Sequence, residues 1–171
     1  VNYCEVLKEA DFLIYALAGS ALSAGMLAYI SGSPFVFMKL FGLSEKQFGW
    51  VYAVNSFGLI SGSQLNHFLL KKFKSSEISF AGAIFQFITC LLLIAAAMNI
   101  SIGKAPVFIL IFLFLMMNGI LNPNTTALAL RPFKKSAGSA SAMIGFIQMF
   151  TGAMASCLVS FFHDGTAVPM A

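Results

Sequence analysis

Four polar but uncharged side chains, Tyr29, Asn55, Asn118 and Gln148, lie well inside long apolar runs of this chain. In hydrocarbon an unpaired amide costs on the order of several kcal/mol. Each therefore calls for a partner, either another helix or a small molecule held between helices. Asn118 and Gln148 fall near the middles of their runs, where membrane bundles hold small ligands. They are the sharpest candidates for a binding site. The alternative for each is a bond that only ties helix to helix, worth about 0.6 kcal/mol on average. For Asn55 helix packing is the stronger of the two readings. Tyr29 lies just outside the midplane and could offer a ring and a hydroxyl to an amphiphile; the other reading turns it toward the membrane interface.

What is missing narrows the chemistry further. No Asp, Glu, Lys or Arg lies inside an apolar run, apart from residues at the ends. Proton-coupled work needs a group that titrates inside the membrane. His67 and His163 sit at run ends and are poor candidates. Cys4, Cys90 and Cys157 form no CxxC or Cys/His cluster, which gives no reason to expect a metal, a cofactor or a disulfide framework. No Ser/His/Asp or Cys/His set stands at usable spacing, so catalysis is not the expected role.

These side chains need helices to carry them. The 171 residues are 59% hydrophobic and 9% charged, far below the roughly 25% charge of soluble domains. The expected fold is an all-α polytopic membrane protein with transmembrane spans at about 12–38, 47–70, 79–98, 105–130 and 137–161. Residues 1–11 form a polar lead and 164–171 a short tail. The lead is of mixed charge and the run after it is too long for a signal peptide. Pro34 should kink or end the first span. Ser44 with Gln47 reads as a capping box for the second. The third, with Gln86 as its one strongly polar interior residue, reads as peripheral. In the fourth, Asn122-Pro123-Asn124 removes a backbone bond and reads as a hinge rather than a ligand site. Asn55, Gly58, Gly62 and Asn66 share one face of the second span. Gly138, Ser141, Gly145, Gln148 and Gly152 share a stripe of the fifth. Apart from the amides, both stripes are small enough for close helix packing.

Loop charges give an orientation. With the N-terminus in the cytoplasm, Lys8, Lys71, Lys72, Lys74, Arg131, Lys134 and Lys135 lie inside, seven of the ten basic residues. Lys39, Lys46 and Lys104 lie outside. The bias predicts N-terminus in and C-terminus out. The net charge of +4 is spread between apolar runs, which points to lipid headgroups and not to nucleic acid.

Several segments carry a resemblance: YISGSPFVF, FGWVYAVNSFGLISGSQLN, NPNTTALAL and AGSASAMIGFIQMFTGA. Together they resemble the Bcr/CflA drug-resistance transporters of the major facilitator superfamily, over about residues 29–170. The resemblance implies that the five spans are helices seven to eleven of a twelve-helix bacterial inner-membrane transporter. They would form most of its C-terminal half, with the N-terminal half and a last helix outside this chain. It also implies export of small amphiphilic drugs, of the bicyclomycin and chloramphenicol type, by proton antiport. The proton site would then lie in the other half. GSQLNHFLLKKF resembles the superfamily's loop motif at Gly62, Asn66, Lys71 and Lys72, without its Asp. The competing expectation is a non-transporting membrane module, a remnant or an assembly subunit.

Overall fold

The computed structural model describes residues 6–98, 103–133, 136–162 and 165–170. The chain is all-helical, with five long helices: α1 (Ala10–Pro34), α2 (Glu45–Leu69), α3 (Ser75–Met98), α4 (Lys104–Leu130) and α5 (Ala137–Phe161). Four of them, all but α2, are long and apolar enough to cross a bilayer. At 25 residues α2 is long enough, but Asn55, Ser56, Ser61, Ser63, Gln64, Asn66 and His67 dilute its apolar content. Exposed Trp50, Phe57, Phe80, Phe87, Phe146 and Phe161 would be out of place in water and suit a lipid-facing surface.

The element boundaries have local causes. Pro34 does not stop the first helix. It has no N–H to give, and the ladder slips to wider spacing: residues Phe35–Leu40 form a π-helical turn, with the Phe41 N–H donating to the Val36 carbonyl at 3.0 Å. The apolar helical run therefore extends from Ala10 to Leu40. The capping box forms ahead of α2: the Ser44 N–H donates to Gln47 Oε1 at 3.0 Å, and the Gln47 N–H to Ser44 Oγ at 3.4 Å. The third helix starts at Ser75, four residues before the expected 79, because the Glu77 carboxylate reaches back to the Lys74 N–H at 3.0 Å.

Packing centres on α4, the most buried of the four apolar helices; α5 is the least. The main interfaces are α1 with α5, α2 with α4, α3 with α4, and α1 with α4. The core is layered. One apolar cluster joins Phe12, Ala16, Ala129, Phe133, Ala140 and Ile144, with the Phe12 and Phe133 rings edge to face at 5.5 Å. Another joins Tyr29, Phe37, Leu93, Ile111, Phe114 and Met170 at the opposite end. Between them α1, α4 and α5 place Ser20, Asn118, Thr125, Gln148 and Thr151, so the polar groups occupy the middle of the bundle.

Candidate functional site

Most of the mid-bundle polar groups are already paired. Tyr29 is buried, and its hydroxyl accepts from Asn55 Nδ2 at 3.0 Å, which joins α1 to α2. Its ring stacks on Tyr52 with centroids 6.0 Å apart. Asn55 Oδ1 is buried with no partner among the described residues. Asn118 is 1% exposed and donates from Nδ2 to the Leu22 carbonyl at 2.9 Å, which joins α4 to α1. These three side chains hold helices together as they stand.

The segment expected to hinge is pinned against a neighbour. Helix α4 runs through Pro123 without a break. Asn124 donates to Asn66 Oδ1 at 2.6 Å and to its own Ile120 carbonyl at 2.7 Å. The Asn122 side-chain oxygen accepts from the Thr126 hydroxyl at 3.4 Å. One turn away, the backbones of α2 and α4 touch at two glycines. A Cβ on Gly62 would run into the Met116 carbonyl oxygen, and one on Gly119 into the Leu59 carbonyl oxygen. Gly58 lies against the Phe112 ring, 2.8 Å from the place of its absent Cβ. The stretch resembling the loop motif is thus part of a helix crossing: Gly62 and Asn66 face α4, while Lys71 sits 5.2 Å above the Phe68 ring. His67 is exposed at the end of α2, and His163 lies outside the described residues.

Helix α5 differs from its expected packing. The first half of its stripe of small residues, Gly138 to Gly145, is not a contact face within this bundle. Gly138 and Gly145 have open space where a Cβ would stand, and Ser141 is exposed. The buried positions are Ala140, Ile144 and Gly152. At about 100° per residue, Gly145 is turned well away from the direction of Ile144. The later part of the stripe does reach α1: the Gln148 amide lies over Gly19, and a Cβ on Gly152 would run into Leu27. Polar contacts line this seam: the Ser156 hydroxyl donates to the Leu27 carbonyl at 3.2 Å, and the Thr151 hydroxyl, bonded first to its own Ile147 carbonyl at 2.8 Å, also lies 3.3 Å from the Ser20 carbonyl.

Gln148 stands apart from the other candidates. It is half-buried, and its Nε2 is fully buried with no hydrogen-bond partner among the described residues. That nitrogen lies over Gly19 of α1, beside Thr125 of α4. Gln148 joins none of the Tyr29–Asn55 and Asn118–Leu22 bonds.

Gln86 is a functional candidate that sequence reasoning passed over. It is 7% exposed, and both amide atoms are buried without a partner. It faces a groove of about 600 Å³ between α1 and α3, floored by Phe114, Leu121 and Thr125 of α4. The signal was present: Ser79, Gly82, Gln86, Thr89 and Leu93 recur at three- and four-residue steps, and all are buried. Among the described residues no group of His, Cys, Asp and Glu could hold a metal ion.

Relatives cover nearly the whole chain. It is 30% identical over 168 residues to an uncharacterized MFS-type transporter, YdgK, of Bacillus subtilis (strain 168), covering 96% of the chain and 40% of the relative. It is 27% identical over 169 residues to a bicyclomycin resistance protein homolog of Haemophilus influenzae, covering 99% of the chain and 42% of the relative. An uncharacterized transporter of Rickettsia bellii is also 27% identical, over 178 residues, with 44% of its length covered. The chain thus spans about two fifths of the length of the relatives it matches. No protein-family model matches it.

Proposed function

The chain is a multi-pass membrane protein homologous to the C-terminal half of MFS-type transporters, and from that premise we propose that it supplies helices seven to eleven of a drug exporter. In this reading it lies in a bacterial inner membrane, N-terminus in the cytoplasm, with residues 1–11 in the central loop and 164–171 ahead of a last helix. That helix would lie in the groove between α1 and α3 and offer Gln86 a polar partner. Small amphiphilic drugs are the substrates. Protons are the coupling ion, bound in the N-terminal half, since Asp, Glu, Lys and Arg are absent from the interior of all five helices. Transport and not catalysis is the role assigned. Pro34 lacks the backbone donor and opens into the π-helical turn Phe35–Leu40, and bending during the cycle is assigned to it.

The observation that supports this reading most is Gln148. Tyr29, Asn55 and Asn118 spend hydrogen bonds on the bundle, whereas the Gln148 amide nitrogen is buried, mid-span and unpaired. A buried donor without a partner is costly, and a ligand acceptor would relieve it. Gln148 is therefore the primary substrate contact, with Asn118, Asn55 and Tyr29 as the supporting wall. The test is accumulation of bicyclomycin and chloramphenicol in cells that make the full-length parent, with and without a proton gradient. Accumulation should fall only when the gradient is present. Unchanged accumulation in both conditions would refute export by antiport.

A further inference from the structure

We propose that Gly19 is a positioning residue that fixes the Gln148 amide between α1 and α4, and thereby sets how strongly the carrier favours substrates bearing a carbonyl or hydroxyl acceptor. The inference rests on the export reading above. Gly19 is buried in the interior of α1, where glycine is less stable than alanine. The space its side chain would take is occupied. A Cβ there would stand 2.9 Å from Gln148 Nε2 and 3.3 Å from Thr125 Oγ1. The notch has three walls on three helices: the bare backbone of Gly19, the Thr125 hydroxyl and the stem of Gln148 itself.

Neighbouring bonds hold these walls still. Thr125 Oγ1 is engaged as a donor to the Leu121 and Asn122 carbonyls, both at 3.1 Å. On α5, the residue three positions past Gln148, Thr151, shares its one hydroxyl hydrogen among the carbonyls of its own Ile147 and Gln148, at 2.8 and 3.1 Å, and that of Ser20, the residue after Gly19, at 3.3 Å. The Ser156 hydroxyl adds a second tie from α5 to α1 at the Leu27 carbonyl, 3.2 Å away. The amide is thus kept in one place, with unspent N–H groups, before any substrate arrives. Such preorganisation favours a ligand that can accept a hydrogen bond over one that cannot. A methyl group at residue 19 would push the amide out of the notch and remove that preference.

The experiment uses the full-length parent, with resistance measured for bicyclomycin, chloramphenicol and tetraphenylphosphonium. The last has no hydrogen-bonding group and serves as the reference. Gly19→Ala should lower resistance to bicyclomycin and chloramphenicol relative to tetraphenylphosphonium by about three- to tenfold, the worth of one neutral hydrogen bond. Protein level should stay within about twofold, because the displaced group is a flexible side-chain end. Gln148→Asn withdraws the amide without adding an atom at residue 19, and it should shift the ratio in the same direction even if Gly19→Ala folds poorly. In a Gln148→Leu background, Gly19→Ala should leave the ratio where Gln148→Leu alone puts it. Gly152→Ala, on the same seam but away from the amide, should lower all three together. The proposal is overturned if Gly19→Ala also scales all three together, if it still moves the ratio in the Gln148→Leu background, or if Gln148→Asn leaves the ratio unchanged. A parent that exports none of the three compounds would overturn the export reading itself, and this inference with it.

Discussion

Deleting the Asn118 amide and deleting the Gln148 amide should have opposite consequences, because only the first is engaged inside the bundle. Asn118→Leu removes the bond from α4 to the Leu22 carbonyl, which keeps only the backbone donor of its own helix. A hydrogen bond of this kind contributes about 0.5–1.5 kcal/mol. In the parent protein this should lower the yield of folded transporter and reduce resistance to every compound in proportion. Gln148→Leu removes a nitrogen that has no partner to lose. Yield should stay near that of the parent while the order of resistance among drugs changes. Membrane-fraction immunoblots and a drug panel, run on both variants, check the pair. If Gln148→Leu lowers yield and scales all drugs down together, its amide is helix glue and no substrate contact.

Among the helices, the α2–α4 crossing is the rigid joint of the bundle. Gly62 and Gly119 each lie against a carbonyl oxygen of the other helix, and the Asn124–Asn66 bond closes the same crossing. Backbone cannot swing aside as a side chain can, so an added methyl must separate the helices. Gly62→Ala and Gly119→Ala should each destabilise by about 1–3 kcal/mol, the range for overpacking. Gly145→Ala, with nothing within 4 Å of its Cβ position, should change stability within this bundle by no more than about 0.5 kcal/mol. Thermal unfolding of the detergent-solubilised parent ranks the three. Equal losses at Gly62 and Gly145 would contradict the packing described.

For the molecule as a whole, the charge bias makes the membrane orientation testable. A reporter fused after Lys74 should remain cytoplasmic, and one fused after Met170 should be translocated. Alkaline phosphatase and green fluorescent protein fusions read the two sides, and swapped signals would refute the orientation. Five helices with no carboxylate in their interior should also confer no drug resistance when made alone. Co-expression with an N-terminal half and a last helix, as the proposed carrier requires, should restore it. Resistance from the isolated chain would place proton coupling within these 171 residues.

Composition and periodicity alone were sufficient for the all-helical membrane fold, the position of every long helix to within a few residues, and the capping box at Ser44. Those features depend on local apolar runs and on near neighbours in the chain, so they are written in short windows of sequence. Resemblance added the transporter class, which relatives across nearly the whole chain support. The state of each amide was not legible in the same way. Asn118 and Gln148 have the same setting in sequence, a polar residue in mid-span. What separates them is whether a carbonyl from a helix 96 residues away stands 2.9 Å off, as Leu22 does for Asn118. The stripe on α5 shows the same limit. Small residues at helical spacing identify a face that can pack, but the neighbour decides whether it does, and α1 meets Ala140, Ile144 and Gly152 instead of Gly138 and Gly145. Gln86 sat on an equally regular stripe and looked peripheral until α1 and α4 closed a groove in front of it. Helix spans follow from the free energy of burying each segment in lipid, which is a sum over its own residues. Pairing and exposure depend on distances between segments, and only the tertiary structure sets those.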